Sequence, residues 1–318
     1  MAIEIELKFG LTPDGVNRLA NFLTNYTILE QKKLDLTNTY YDTPDFQLQK
    51  NHCGLRVRGI QETDQLAQYE ITVKHSSTGV AGLHARQEFN VTVDTPTLDL
   101  QLLPKDALSP QCDRQQLALQ IKPQFTTHFL RHAYLIRYHD SEIELAFDQG
   151  SISHDTHQMP IDELELELKQ GDVSRLFEFA AELSILGLRL LSQSKAARGY
   201  RLMNQTPLLP PLVPELKTKH APHKTLSAML KYWQKCEEFA DEQQQVTLLY
   251  DSLARLLPML TLLLDSLTPT SLMQTAQAEL SKVNNLLKSR PDWSVWLYDA
   301  RVTKLKLHLT QIVLDLQD

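Results

Sequence analysis

Six short segments of this chain alternate between apolar and polar residues, and each gathers almost all its charges on one parity. IEIELKF (3–9) sets Ile3, Ile5, Leu7 and Phe9 against Glu4, Glu6 and Lys8. GLRVRG (54–59) sets Leu55 and Val57 against Arg56 and Arg58, and YEITVK (69–74) sets Ile71 and Val73 against Glu70, Thr72 and Lys74. Arg86 and Glu88 share a parity in ARQEFNV. EIELAFD (142–148) opposes Ile143, Leu145 and Phe147 to Glu142, Glu144 and Asp148, and DELELELK (162–169) opposes Leu164, Leu166 and Leu168 to Glu163, Glu165 and Glu167. A period of two is the signature of a β-strand, whose successive side chains point to opposite faces.

For one such strand the ordinary reading is a half-buried strand with its polar face in water. Six together call for more. Like charges on neighbouring sheet positions destabilise, and two unit charges 4 Å apart repel by about 4 kcal/mol at an effective dielectric near 20. Two compensations are natural. Divalent cations take oxygen ligands, while interleaved Arg and Lys suit a polyanion such as phosphate. A sheet curled so that its charged faces converge, with helices over its apolar faces, would gather both in one place. Carboxylates for metal with Arg and Lys for phosphate form a phosphoryl-transfer toolkit.

The chain changes character near residue 205. Before it, strands are expected over 3–9, 54–60, 67–74, 86–93, 130–138, 142–148 and 162–169. Thr12 followed by Pro13 opens one expected helix, Asp172 opens another that Gly187 stops, and Asp113–Ile121 is a third. QTPLLPPLVPE (205–215), with four prolines, reads as an extended linker. Beyond it, helical spacing predicts an α-bundle over 223–243, 246–267, 271–288 and 295–316. We therefore divide the chain into a β-rich domain at 1–204, the linker at 205–215 and a helical domain at 216–318. From Glu215 onward 12 Lys/Arg balance 12 Asp/Glu, so the first part carries the whole net charge of −7.

The remaining composition excludes several classes. Cys53, Cys112 and Cys236 are three widely spaced cysteines without a CxxC, so neither a disulfide framework nor a zinc site is expected. No secretory signal opens the sequence, and the longest apolar run, Leu256–Leu264, contains Pro258 and Thr261 and is far short of the roughly 20 residues a membrane span needs. A soluble cytoplasmic protein with no membrane and no nucleic-acid partner is the expectation, given the net acidity.

At these residues the chain resembles the CYTH superfamily, the triphosphate tunnel metalloenzymes. EIELK matches its N-terminal ExExK signature. NTYYDTPDFQL (38–48), LRVR (55–58), the strand ending in Lys74, ARQEF (85–89), Arg131, IELAFDQG (143–150), ELELELKQGD (163–172) and SKAARGY (194–200) follow in the family's order. The resemblance covers about residues 1–203, and it is nearest to bacterial inorganic triphosphatases, in which a CHAD-like helical domain follows. LSAMLKYWQKCEEFA (226–240) fits that layout. The tail departs from the fuller CHAD pattern: it holds only His220, His223 and His308, has balanced charge and is short, as expected of a degenerate or truncated CHAD-like unit. A stabilising or dimerising bundle, or one that recruits a protein partner, is the preferred reading of it.

The resemblance implies an α+β fold: a closed eight-stranded antiparallel β-tunnel flanked by helices, binding a triphosphate along its axis with two Mg²⁺ or Mn²⁺ ions. It implies metal ligation by Glu4, Glu6, Glu165 and Glu167, with Glu163 of the same parity placed after its neighbours. It implies phosphate contacts from Lys8, Arg56, Arg58, Lys74, Arg86, Arg131 and Lys195, with Arg198 helping from the following turn. Glu88 and Asp148 would hold basic residues or reach metal-bound water, and Lys74 would orient the water or act as base. The implied reaction is hydrolysis of tripolyphosphate to pyrophosphate and phosphate. Two alternatives are a CYTH-type adenylate cyclase or nucleoside or thiamine triphosphatase on the same fold, and a noncatalytic polyphosphate-binding adaptor.

Other residues are read as structural. His128 and His132 lie four apart, a metal spacing only on a helix, which the strand expected over 130–138 contradicts, and His154 and His157 sit in an expected solvated hairpin. Tyr40, Tyr41 and Asp42 are assigned to packing or a turn. GVAGL (79–83) lacks the spacing of a phosphate loop, and Trp233, Trp293 and Trp296 read as bundle core or interface.

Overall fold

The computed structural model describes residues 2–63, 65–75, 82–214 and 221–317. Eight antiparallel strands close into a ring: β1 (Ala2–Leu11), β2 (Thr27–Asp42), β3 (Cys53–Glu62), β4 (Gln68–His75), β5 (Leu83–Val93), β6 (Lys122–Tyr138), β7 (Ser141–His154) and β8 (His157–Gln170). The order around the ring is β1, β5, β4, β3, β2, β6, β7, β8 and back to β1, so neither β1 nor β5 is left as an open edge. A short ninth strand, β9 (Leu188–Leu190), pairs with Phe9–Leu11. Phe9 pairs with both β8 and β9, which places β9 on the side of β1 that β5 vacates beyond Leu7.

The alternation places the apolar parity outward and the charged parity inward. Leu7, Phe9, Leu145, Phe147, Leu164 and Leu166 pack under α1 (Pro13–Leu23) and the later α4 (Val173–Leu183), with Leu19, Leu23, Leu176 and Phe179 in the same core. Leu55, Val57, Ile71, Val73 and Phe89 pack under α2 (Gln47–Lys50) and α3 (Arg114–Gln120), through Leu48 and Leu117. Each fully buried Leu or Phe contributes about 1.5–3 kcal/mol. The interior can stay charged because these two outer cores supply that stabilisation.

Local chemistry sets the helix ends. Thr12 Oγ1 accepts from the Gly15 amide at 3.0 Å, with Pro13 in the first turn, and Asp172 accepts from the Ser174 amide at 2.8 Å. The run after α4 turns at Gly187, whose φ of +77° favours glycine. Four elements were not among those expected: the short α2 and β9, β2, which is a full strand of 16 residues, and α5 (Lys195–Met203), the helix that SKAARGY opens.

Residues 206–214 contain no helix or strand. The helical region is α6 (Pro222–Gln243), α7 (Val246–Asp265), α8 (Ser271–Ser289), α9 (Trp293–Leu297) and α10 (Ala300–Asp315). The single helix expected over 295–316 is two, because Asp299 caps α10 through the Arg301 amide. Leu230, Trp233, Leu257, Leu280, Trp296 and Leu305 share its core. This region also packs on the ring: Leu307 of α10 joins the core above β1, and Thr303 Oγ1 donates to the Leu188 carbonyl.

By length and composition α7 is apolar enough to cross a membrane, which the count of uninterrupted apolar residues missed. Here it is a bundle helix, with Leu249, Leu253, Leu256, Leu257, Leu260 and Leu264 buried in the core. His128 and His132 lie on β6, and His128 Nε2 pairs with Asp35 at 2.7 Å. His154 is half-buried rather than solvated, with Nδ1 2.7 Å from the Gln124 carbonyl. Residues 79–81 of the GVAGL segment lie outside the described residues. The three cysteines are buried and unpaired.

Candidate active site

The ring encloses a cavity of about 690 Å³ lined by the charged parity of its strands and by the N-terminus of α5. Strand register decides which charges meet. Glu144 of β7 lies opposite Glu167 of β8, and Glu167 lies opposite Glu6 of β1, giving three glutamates in one row across three strands. Glu4 is one inward position along β1 from Glu6. One step down the same strands Glu165 lies opposite Lys8, and the next pair is Asp148 with Glu163.

The two carboxylate groups differ in what compensates them. Asp148, Glu163 and Glu165 come close enough to share an ion, yet four cations of the chain already occupy their oxygens. Lys195 Nζ is 2.7 Å from Asp148 and 3.1 Å from Glu165 and also bonds Glu163, while Arg198 donates to Glu163 at 2.6 Å. Arg131 donates to both oxygens of Asp148 and to Glu165, each at 2.7 Å, and Lys8 bonds Glu165. Burial alone would raise the Glu165 carboxyl, but Lys195, Lys8 and Arg131 hold it well below the usual range. Asp148 is lowered in the same way, with burial opposed by Arg131 and Lys195.

The row at the other end is held by a different set of cations. Glu167 is pushed up, first by burial and then by Glu4 and Glu144, with Lys169 opposing. Glu6 is held at about 2: burial would raise it, Lys8 lowers it most, and Arg86 and Lys74 add to that against repulsion from Glu165. Glu4 is bonded by Lys74 at 2.8 Å, and Lys74 also pairs with Glu88 at 3.0 Å. Lys74 is thus held as a donor between two carboxylates. Lys169 also donates to Glu167 at 2.9 Å, so three of the four glutamates already have a cation of the chain, and the converging carboxylates still offer the oxygen ligands a hard divalent ion takes.

The cations of the opposite wall crowd one another. Arg58 is pushed down to about 10 by burial and by Arg56 and Arg131, and its Nε donates to Asn38 at 2.8 Å. Arg86 reaches Glu6 through one terminal nitrogen. Among the described residues, Arg56 Nε and Arg86 Nε are buried with no acceptor. Tyr40, opposite Arg56 in register, lines the same wall. Its hydroxyl is lowered because Arg56, Arg58 and Lys195 together outweigh burial. A wall of crowded guanidinium and ammonium groups fits a polyanion.

Every candidate from the sequence falls in or beside this cavity. Lys8, Arg56, Arg58, Lys74, Arg86, Arg131 and Lys195 line it together with Glu4, Glu6, Glu88, Glu165 and Glu167. Asp148, Glu163 and Arg198 stand just behind, joined through Arg131 and Lys195. Two residues were not put forward. Glu144 showed the right parity, but only register puts it beside Glu167. Tyr40 was assigned to packing, and it does stack on Phe125 at 4.7 Å while presenting its hydroxyl to the cavity.

The CYTH domain family model matches residues 2–200, most of the chain. The chain belongs to the CYTH family. It is 41% identical over 206 residues to an inorganic triphosphatase of Haemophilus influenzae, a match that covers 64% of this chain and 55% of that protein. The chain thus matches about half the length of that relative. A solved structure from Hippeastrum, described as an adenylyl cyclase candidate with a dominant triphosphatase activity, is 16% identical with a TM-score of 0.43, covering 62% of this chain and 95% of that one. A protein of Pyrococcus horikoshii is 14% identical with a TM-score of 0.42, covering 61% and 97%.

Proposed function

We propose that the chain is a CYTH hydrolase that cleaves inorganic tripolyphosphate to pyrophosphate and phosphate. The observation that carries this reading is the convergence in one cavity of a glutamate row, Glu4, Glu6, Glu144 and Glu167, with a crowded Arg/Lys wall. A triphosphate with its divalent ions satisfies both. Glu4, Glu6, Glu144 and Glu167 would hold Mg²⁺ or Mn²⁺, with room in the donor set for two ions. When bound, the metal would offset phosphate charge and lower the pKa of water.

The chain's own groups divide the remaining work. Arg56, Arg58, Arg86 and Lys8 bind phosphate oxygens and stabilise charge that develops on the equatorial oxygens, the electrostatic contribution that usually dominates. Lys195 enters from the N-terminus of α5, where the helix amides add their positive end. We assign Glu163, Asp148 and Arg131 to holding Lys195, Arg198 and Glu165 in place, because their oxygens and nitrogens are already engaged with one another. Glu88 and Glu4 fix Lys74, which donates to the attacking water or to phosphate. Tyr40 adds a hydroxyl at the Arg56 end.

The lining aromatics Tyr40 and Tyr200 are both buried against Phe125, which favours an inorganic chain over one carrying a base or thiazole ring. The test is turnover of tripolyphosphate by folded Glu6→Gln and Arg58→Ala variants. Removal of one preorganised charge of this kind lowers turnover by about two to three orders of magnitude. Near-normal turnover in folded Arg58→Ala would overturn the assignment.

A further inference from the structure

The segment that delivers Lys195 to the cavity is held from outside the ring. Between β9 and α5 the chain runs through Leu191–Ser194. Its first residue bonds back to the ring, the Leu191 amide donating to the Lys8 carbonyl at 2.8 Å, and its last caps α5, Ser194 Oγ accepting from the Ala197 amide at 3.1 Å. The two residues between them are bound by one side chain of the helical region. Glu238 of α6 accepts from the Ser192 amide at 3.0 Å and the Ser192 hydroxyl at 2.5 Å on one oxygen, and from Gln193 Nε2 at 3.2 Å on the other.

Two ion pairs flank this contact on the same helix. Asp241 pairs with Arg189 of β9 at 2.7 Å, and Glu242 with Arg201 of α5 at 2.6 Å. Positions 238, 241 and 242 lie three and four apart, so they share one helical face. That face engages the strand before the segment, the segment itself and the helix after it. A carboxylate that accepts three hydrogen bonds from two consecutive residues, one from the Ser192 backbone and two from side chains, ties the segment down more tightly than a surface ion pair would.

We propose that Glu238 is a positioning residue for Lys195. α6 acts as a brace that sets where α5 begins and so where the Lys195 ammonium sits between Asp148, Glu163 and Glu165. The consequence for turnover rests on the reading of the cavity as a triphosphate site; the positioning itself does not. On this account the helical region is part of the site's construction, although none of its described residues lines the cavity.

The experiment uses the full chain and compares wild type, Glu238→Ala, Glu238→Gln and Ser192→Ala. Hydrogen exchange is read by mass spectrometry over residues 191–200, and tripolyphosphate hydrolysis with Mg²⁺ in the Lys195→Ala background as well. Loss of hydrogen bonds to a charged acceptor should speed exchange over 192–198 by about tenfold or more in Glu238→Ala. Peptides of β3, β4 and α8 should be unchanged. Ser192→Ala, which removes one of the three bonds from the ring side, should give the same pattern at smaller amplitude, and Glu238→Gln should recover part of it. kcat/KM should fall by about tenfold in Glu238→Ala, with no further fall when Lys195 is already Ala. Unchanged exchange over 192–198 in both Glu238→Ala and Ser192→Ala would overturn the brace, as would a full independent loss from Glu238→Ala in the Lys195→Ala background. No wild-type turnover alongside the expected exchange pattern would sink the triphosphate reading and leave the brace standing.

Discussion

Arg131→Met tests whether the charged interior is a coupled network or a set of independent contacts. Arg131 makes three 2.7 Å hydrogen bonds, two to Asp148 and one to Glu165, and the Asp148 side chain is wholly buried. Removing one partner of a buried pair typically costs about 3–5 kcal/mol, because the other charge is left uncompensated. Here Asp148 keeps Lys195 at 2.7 Å, and Glu165 keeps Lys195 and Lys8. The loss should therefore sit near the lower end, at about 3 kcal/mol. Urea unfolding of wild type, Arg131→Met, Asp148→Asn and the double variant reads the cycle. The double variant should be more stable than the sum of the single losses predicts, by about 1.5–3 kcal/mol, because a neutral amide in place of the Asp148 carboxylate no longer needs a cation. Additive losses, or an Arg131→Met cost under about 1 kcal/mol, would refute the reasoning.

Three further perturbations follow from the same geometry. A Cβ at Gly199 would overlap the Phe125 ring at Cε2, so Gly199→Ala should cost about 1–3 kcal/mol by overpacking and lower tripolyphosphate turnover by displacing α5; unchanged turnover would separate α5 from the site. Glu144→Gln should weaken Mn²⁺ binding, measured by calorimetry, by about tenfold through loss of one hard anionic ligand, and an unchanged affinity would place the ion elsewhere. Acid should destabilise the fold. Glu6, lowered from 4.5 to about 2, contributes about 3 kcal/mol above pH 4.5 that is lost as pH falls toward 2. Asp148, Glu165 and Glu88 act in the same direction. His84, lowered from 6.5 to about 3 by burial, then Arg86 and Lys8, starts the decline earlier, below pH 6.5. A urea midpoint that stays flat from pH 7 to pH 3 would contradict this.

The charged faces of β1, β3, β4, β5, β7 and β8 were legible because alternation is local: each strand records its own inside and outside. β2 left no such record. Its first half, TILEQKKL, is exposed or half-buried throughout, and its pairing with β6 slips at Ile28/Glu30 and again at Tyr40/Tyr41. α5 was equally silent. Its sequence KAARGYRLM directs Lys195 and Arg198 at carboxylates while Ala196, Tyr200, Leu202 and Met203 pack on a core, a helix too short for its period to be read. Within the site, residue types could be read but partnerships could not. Parity puts Glu144 inside the ring, whereas only cross-strand register puts it beside Glu167. Glu163 shares parity with Glu165, and only the fold brings Lys195 and Arg198 onto it. Asp299, which splits the last predicted helix, was readable in principle as an N-cap but was hidden by the continuous apolar spacing around it.

The most direct measurement is phosphate release by the purified chain from tripolyphosphate, ATP and thiamine triphosphate in parallel, each with Mg²⁺, with Mn²⁺ and with chelator. A Glu4→Gln/Glu6→Gln variant serves as the control. The account predicts strong, metal-dependent preference for tripolyphosphate that the variant loses. Preference for ATP, above all with cyclic AMP and pyrophosphate as products, would keep the tunnel and contradict the substrate. Silence on all three, with tripolyphosphate still bound, would contradict the claim that this cavity is catalytic.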